Sequence, residues 1–334
     1  MINLPFVSVI IPTYNYGHFI TDAINSVLQQ DYPMEKIEIL VVDDGSTDNT
    51  KEVLKEFITK NVIRYFYQEN KGKTNATFNA IQNCNGKYIF NLDADDYFFE
   101  DKIRASVDIF ESDESIVHVA SPAKHILQGG TYIIEPIPKK IIGKPLDGKW
   151  LLRYLMNANL LYGGGSTYAA RASILRAINM PDAIDMYTDE FLVLATLPHG
   201  KSFFIDKSLS VWRGHNLNYS GTSKTPSIRM LKEKRMLSSC NAVFEYLRQK
   251  AYDKELVRIY WLKNLTNNLS FKESFHQKKY KDILKYAYAV FFKIRPKPSL
   301  IKNYHVINRL VPTSLFVALK RIFVGTDKRT HYTE

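Results

Sequence analysis

The chain has 334 residues, 45% apolar and 24% charged, a composition ordinary for a soluble globular protein and a length that fits one large core with or without an appendage. Its two cysteines, Cys84 and Cys240, lie far apart, which excludes a disulfide framework and a Cys-based zinc site and fits a reducing compartment. The net charge of +11 belongs to the C-terminal third: residues 225–334 hold 23 Lys and Arg against 8 Asp and Glu, a net +15, leaving −4 for residues 1–224. No run approaches the roughly 18 uninterrupted apolar residues of a membrane span. The apolar stretch Phe6 to Ile11 is too short for a signal peptide and lacks a basic leader, so a cytoplasmic protein is expected.

In chain order, Val7–Ile11 reads as a strand, followed by the turn Pro12-Thr13-Tyr14-Asn15-Tyr16-Gly17. A helix is predicted over about Ile20 to Gln30, with Ile20, Ala23, Ile24, Val27 and Leu28 on one face. Strand Ile37–Val42, a helix from Asp48 to Thr59, strand Val62–Tyr67, a helix over 73–83 and strand Lys87–Leu92 follow. Strands alternating with helices imply right-handed βαβ units and a parallel sheet. A helix near 100–111 leads into shorter segments at Ile116–Ala120, Gly129–Glu135 and Ser166–Ala170, with helices at 147–158 and 188–198 and strands Phe203–Ile205 and Leu209–Trp212. Beyond 226 the pattern is helical and basic, at 228–250, 253–269 and 277–292, with an amphipathic piece from Thr313 to Phe323.

Two acidic clusters close apolar strands: Val41-Val42-Asp43-Asp44-Gly45-Ser46 and Asn91-Leu92-Asp93-Ala94-Asp95-Asp96. Carboxylates at the carboxyl ends of parallel strands face the crevice where open α/β sheets bind ligands. Asp-Gly-Ser also serves as plain turn chemistry, so Asp43 and Asp44 can act in a turn or accept a hydrogen bond from a bound base. Three carboxylates at 93, 95 and 96 repel one another unless a cation sits among them, and Mg²⁺ or Mn²⁺ bridging to a diphosphate meets that need. Asn70-Lys71-Gly72-Lys73-Thr74 is no P-loop, because Tyr67 stands where the first glycine belongs. Gly163-Gly164-Gly165-Ser166 permits close backbone approach but is no dinucleotide fingerprint, which argues against an oxidoreductase. Thr188-Asp189-Glu190 opens a helix, where acidic residues are also ordinary caps. Trp212-Arg213-Gly214-His215 places a histidine just after a strand.

Together, Val7 to Asn15, Val41 to Asp48 and Leu92 to Asp96 resemble the three N-terminal motifs of the family-2 glycosyltransferases, a likeness covering about residues 5–215. The resemblance implies an α/β fold of GT-A type: a Rossmann-like, mixed and mostly parallel sheet flanked by helices, here with a C-terminal helical extension. It implies a glycosyltransferase domain over 1–224, with a nucleotide-binding half at about 1–97 and an acceptor-binding half at about 98–224, then a basic helical region over 225–334. It further implies inverting transfer from a nucleotide sugar, a UDP-sugar being expected, to a glycan or lipid-linked hydroxyl. By the same resemblance Pro12, Tyr14, Asn15, Asp44, Asn70, Gly72, Lys73, Asp93 and Ala94 contact the donor. Asp95 and His215, with Asp93 as a further candidate, hold Mn²⁺ or Mg²⁺. Asp189 is the general base, with Glu190 as its rival. The chain departs from the family pattern at three positions: Thr77 and Phe78 stand for its Arg-Asn pair, and Thr188 for the Glu before the base. A sugar nucleotidyltransferase, or a degenerate nucleotide-sugar-binding protein, stays open as an alternative.

Nothing in the basic tail resembles an RNA-binding module, so no nucleic-acid partner is expected. The face formed by Leu315, Phe316, Leu319, Ile322 and Phe323 beside Lys320 and Arg321 suits an anionic membrane surface, here the inner face of the plasma membrane, and would equally pack on the core.

Overall fold

The computed structural model describes residues 4–127, 130–158, 162–215, 225–250, 252–257, 259–261 and 264. The N-terminal half builds the predicted βαβ units: β1 (Val7–Thr13), α1 (Ile20–Leu28), β2 (Ile37–Asp43), α2 (Thr50–Thr59), β3 (Arg64–Tyr67), α3 (Lys73–Asn83) and β4 (Tyr88–Asn91). Every residue of β1 and β2 is buried, as expected for central strands covered on both faces. Alternate residues therefore feed two cores. Val7, Val9 and Ile11 join Ile39 and Val41 beneath α1, α2 and α4, whereas Ile10, Leu40 and Val42 face α3 and the later helices.

The second half supplies β5 (Tyr97–Phe98), α4 (Lys102–Ser112), β6 (Ile116–Ala120), β7 (Ala123–Ile126), β8 (Tyr132–Ile134), β9 (Pro145–Asp147), α5 (Gly148–Ala158), β10 (Tyr168–Arg171), α6 (Ala172–Ala177), α7 (Thr188–Thr196), β11 (Lys201–Phe204), β12 (Ser210–Arg213) and α8 (Pro226–Gln249). The main sheet has the order β3-β2-β1-β4-β10-β6-β11-β9. It is parallel from β3 through β4, and β10 then runs antiparallel to both β4 and β6. A small sheet, β5-β12-β7-β8, lies beyond the acidic end of β4.

The predicted strand at 166–170 begins later than expected, because a 3₁₀ turn takes up Gly165–Thr167. Residues 254–257, 259–261 and 264 are helical within the predicted 253–269 helix. The predicted helix at 277–292 and the Thr313–Phe323 piece lie outside the described residues. Val243, Tyr246 and Leu247 of α8, with Leu256, Ile259 and Tyr260, share a core with Phe191 to Ala195 of α7. Among the described residues no helix is long and apolar enough to cross a membrane.

Candidate active site

The site lies where β1, β2 and β4 end. At β2, Asp43 accepts from the Ser46 amide at 2.8 Å and from the Tyr65 hydroxyl at 2.8 Å. Asp44 accepts from the Gln68 side chain at 2.7 Å and from the amides of Lys71 and Gly72 at 2.9 and 2.8 Å. It thus ties the 68–72 loop to β2. Asn15, at a left-handed φ of 58°, accepts from the Thr47 and Asp48 amides at 2.7 and 3.2 Å, joining the loops after β1 and β2. Pro12 is buried, Tyr14 is 44% exposed and Asn70 is exposed.

Gly72 has φ +91°, and a Cβ there would stand 2.2 Å from Asp185 Oδ1. The glycine therefore lets α3 start hard against the 185 loop, which carries Lys73 into the site. Lys73 Nζ lies 2.8 Å from Asp93 Oδ2 and 3.5 Å from Asp189 Oδ2. Burial alone would pull its ammonium down, but Asp189, Asp93 and Asp95 together hold it above its ordinary value. The Lys73 side chain keeps 39% exposure, so the carboxylates rather than burial set that direction.

After β4, the ligand atoms of Asp93, Asp95 and Asp96 lie within 4.8 Å of one another, a hard, all-oxygen set of the kind divalent cations take. Their environments differ. Asp96 accepts from Ser166 Oγ at 2.6 Å and from the Arg213 amide at 3.1 Å, so its oxygens are committed to holding the 166 turn and β12. Burial, then Asp93 and Asp95, push its carboxyl well up. Asp95 is also pushed up by burial and by Asp93. His215 Nε2 stands 3.2 Å from Asp95 Oδ2, with its ring stacked on Phe19 at 4.3 Å. Asp93 and Asp95, with His215, are the residues that fit a cation. Ala94 is buried between them.

Asp189 opens α7, its side chain 31% exposed. Burial, then Asp93, raise its carboxyl, and Lys73 offsets part of that rise. Glu190 turns the other way: it is 3% exposed, and the Tyr260 hydroxyl donates to it at 2.7 Å inside the α7–α8 core. Thr188, at the position where family-2 sequences carry Glu, hydrogen-bonds Thr74 and so fastens α7 to α3. Thr77 and Phe78 are buried, Thr77 donating to the Lys73 carbonyl and Phe78 packing near Phe191. Neither offers a cation, and Lys73 is the basic group that reaches the acidic cluster from α3.

Lys73, Asp93, Asp95, Asp189 and His215 thus converge from four chain segments. Sequence reading missed Tyr16, whose hydroxyl bonds Asp95 and is pushed up first by burial and then by Asp95. It also missed Arg213, which donates to the Asp95 carbonyl and at 2.6 Å to Asp22. Arg213 flanks His215 within the same short motif, whereas Tyr16 carries no signal beyond its turn.

A family model described as Glycosyl transferase family 2 matches residues 8–176. Chondroitin synthase of Escherichia coli is 34% identical over 131 residues, covering 39% of this chain and 19% of that protein. The chain spans about a fifth of the length of such curated relatives. Among solved structures, residues 1–349 of S. aureus TarS in complex with UDP-GlcNAc align with TM-score 0.56 at 18% identity, over 93% of this chain and 83% of that one. A Pyrobaculum calidifontis mannosyltransferase in complex with GDP-Man and Mn²⁺ aligns with TM-score 0.53 at 17% identity, over 97% and 86%. These likenesses carry the fold, which is of GT-A type.

Proposed function

The chain belongs to glycosyl transferase family 2, and from that premise we propose that it transfers a sugar from a nucleotide donor, a UDP-sugar, to an acceptor hydroxyl with inversion. The observation that carries the reading is the facing of Asp189 and Asp93 across Lys73, 3.5 and 2.8 Å from its Nζ, beside Asp95. An isolated acidic turn would need none of this convergence.

In the proposed reaction Asp189 Oδ takes the proton from the acceptor hydroxyl as that oxygen attacks the anomeric carbon. A carboxyl raised by burial is a stronger base than one in water, and Lys73 offsets part of that rise. Asp95 and His215, with Asp93 beside them, would hold Mn²⁺ or Mg²⁺, and such an ion would neutralise charge on the leaving nucleoside diphosphate. Lys73, Gly72 and Asn70 border the phosphates, and Pro12, Tyr14 and Asn15 the nucleoside. Asp44, which also fastens the 68–72 loop, holds the base of that nucleoside. One base in line with one leaving group makes a single displacement and forms no covalent intermediate. Residues 1–97 serve the nucleotide, residues 98–224 the acceptor, and the basic region over 225–334 an anionic membrane that presents a lipid-linked glycan.

The test is nucleoside diphosphate release from a panel of nucleotide sugars with Mn²⁺ or Mg²⁺, repeated with chelator and with Asp95→Ala. Metal-dependent release from one donor, lost in Asp95→Ala, is expected. Release of pyrophosphate instead would assign a nucleotidyltransferase, and donor binding without any release would assign a binding protein.

A further inference from the structure

Two buried polar side chains end on the backbone of one turn. Lys102, at the start of α4, is fully buried, and its Nζ lies 2.6 Å from the Thr167 carbonyl and 3.4 Å from Ser121 Oγ. Among the described residues no carboxylate pairs with it. His118, at the centre of β6, is 1% exposed and places Nε2 2.9 Å from the Gly163 carbonyl and Nδ1 2.9 Å from Ser202 Oγ. A carbonyl only accepts, so Nε2 carries the hydrogen and Ser202 donates to Nδ1. Burial holds this imidazole neutral, its pKa lowered to about 4.

The turn they support runs from Gly163 to Thr167, and its other side touches the reacting groups. Gly163 and Gly165 have φ of +75° and +56°, and a Cβ on Gly163 would meet His118 Cε1 at 2.7 Å. A Cβ on Gly164 would lie 3.0 Å from Asp189 Cβ. One on Gly165 would lie 3.7 Å from Asp189 Oδ2 and 3.8 Å from Asp93 Oδ2. Ser166 Oγ accepts from the Asp93 amide at 3.0 Å, and a Gly165 backbone hydrogen bond reaches Asp189. The turn is thus a wedge between the two carboxylates, resting on His118 and Lys102. Apolar residues would fill the interior under a sheet at less desolvation cost, yet both polar heads are spent on this one segment.

We propose that Lys102 and His118 are positioning residues, which fix the Gly163–Thr167 turn and through it the spacing of Asp189 from Asp93. The inference rests on the reading of Asp189 as the base. It is tested on the full chain with Lys102→Met, His118→Leu and His118→Gln, using the nucleotide sugar that turns over in the panel and thermal melting to check folding. Lys102→Met and His118→Leu are expected to leave the donor KM within about twofold and to lower kcat by up to about a hundredfold, the penalty of a misplaced reacting group. His118→Gln, which keeps a donor toward Gly163, is expected to recover most of the rate. Wild-type kcat in folded Lys102→Met and His118→Leu, or a Gln variant no better than Leu, overturns the inference. Should Lys102→Met not fold, the Leu and Gln pair decides. Asp189→Asn separates the two readings. Full rate there overturns the base assignment alone, whereas loss there with Lys102→Met and His118→Leu unaffected overturns the positioning role alone. A wild-type chain that turns over no donor overturns both.

Discussion

Lys73 touches two carboxylates with separate proposed tasks, and its charge pulls against the burial that raises the one assigned as base. Burial and Asp93 raise Asp189, and Lys73 lowers it. A base works only when ionised, so kcat falls as pH drops through this raised value. Lys73→Met removes the lowering influence and is expected to move that acid limb to higher pH, read from kcat at saturating donor; an unmoved limb would detach Lys73 from the base. Lys102 gives a second pH dependence, in stability. Burial lowers its pKa to about 7 from 10.5, so between those values the unfolded chain binds more protons than the folded one, and stability rises with pH through that window. At about 1.4 kcal/mol per unit the effect amounts to several kcal/mol. Lys102→Met is therefore expected to flatten the dependence of urea-unfolding stability on pH and to raise the melting temperature near pH 6. A variant as pH-dependent as wild type would contradict this. At this scale the placement of Asp93 and Asp95 just after a strand and of Asp189 at a helix start was legible, because apolar runs mark where those elements end and begin. The partners that Asp44 and Asn15 hold in other loops were not, and neither was Tyr16 against Asp95, which lie 79 residues apart.

At the scale of elements, α7 carries the proposed base and is held largely by the C-terminal helices. Arg235 of α8 forms a two-pronged ion pair with Asp185, and Ser239 Oγ accepts from the Asp185 and Met186 amides at 3.0 and 2.9 Å. Tyr187 then enters α7 at φ 63°, a strained value for a bulky residue. Tyr260 completes the latch by donating to buried Glu190. Tyr260→Phe removes that hydrogen bond to a buried carboxylate and is expected to destabilise the chain by about 1–3 kcal/mol in urea unfolding. Glu190→Gln added to it should return part of the loss, and strict additivity would deny the pairing. Elements with long apolar runs, such as β1 and β2, were readable because both faces are buried. Tyr97–Phe98, Ala123–Ile126, Pro145–Asp147 and the six-residue helix Ala172–Ala177 were not. Segments that short hold no full period, and their pairing partners lie far along the chain.

For the whole molecule, charge divides the chain as the proposed function does: −4 over the residues that build the site and +15 over residues 225–334. That division predicts binding of the full chain to vesicles containing anionic lipid, weakening as salt screens the lysines. Cosedimentation that ignores both lipid charge and salt would remove the membrane from the account. The central claim is narrower, and concerns one oxygen of Asp189 as the base for a donor held by other residues. It is tested most directly by measuring, on Asp189→Asn, donor affinity by calorimetry together with the rate of nucleoside diphosphate release. The account predicts wild-type affinity with a release rate lower by about 10²–10⁴-fold. Turnover at the wild-type rate would contradict it.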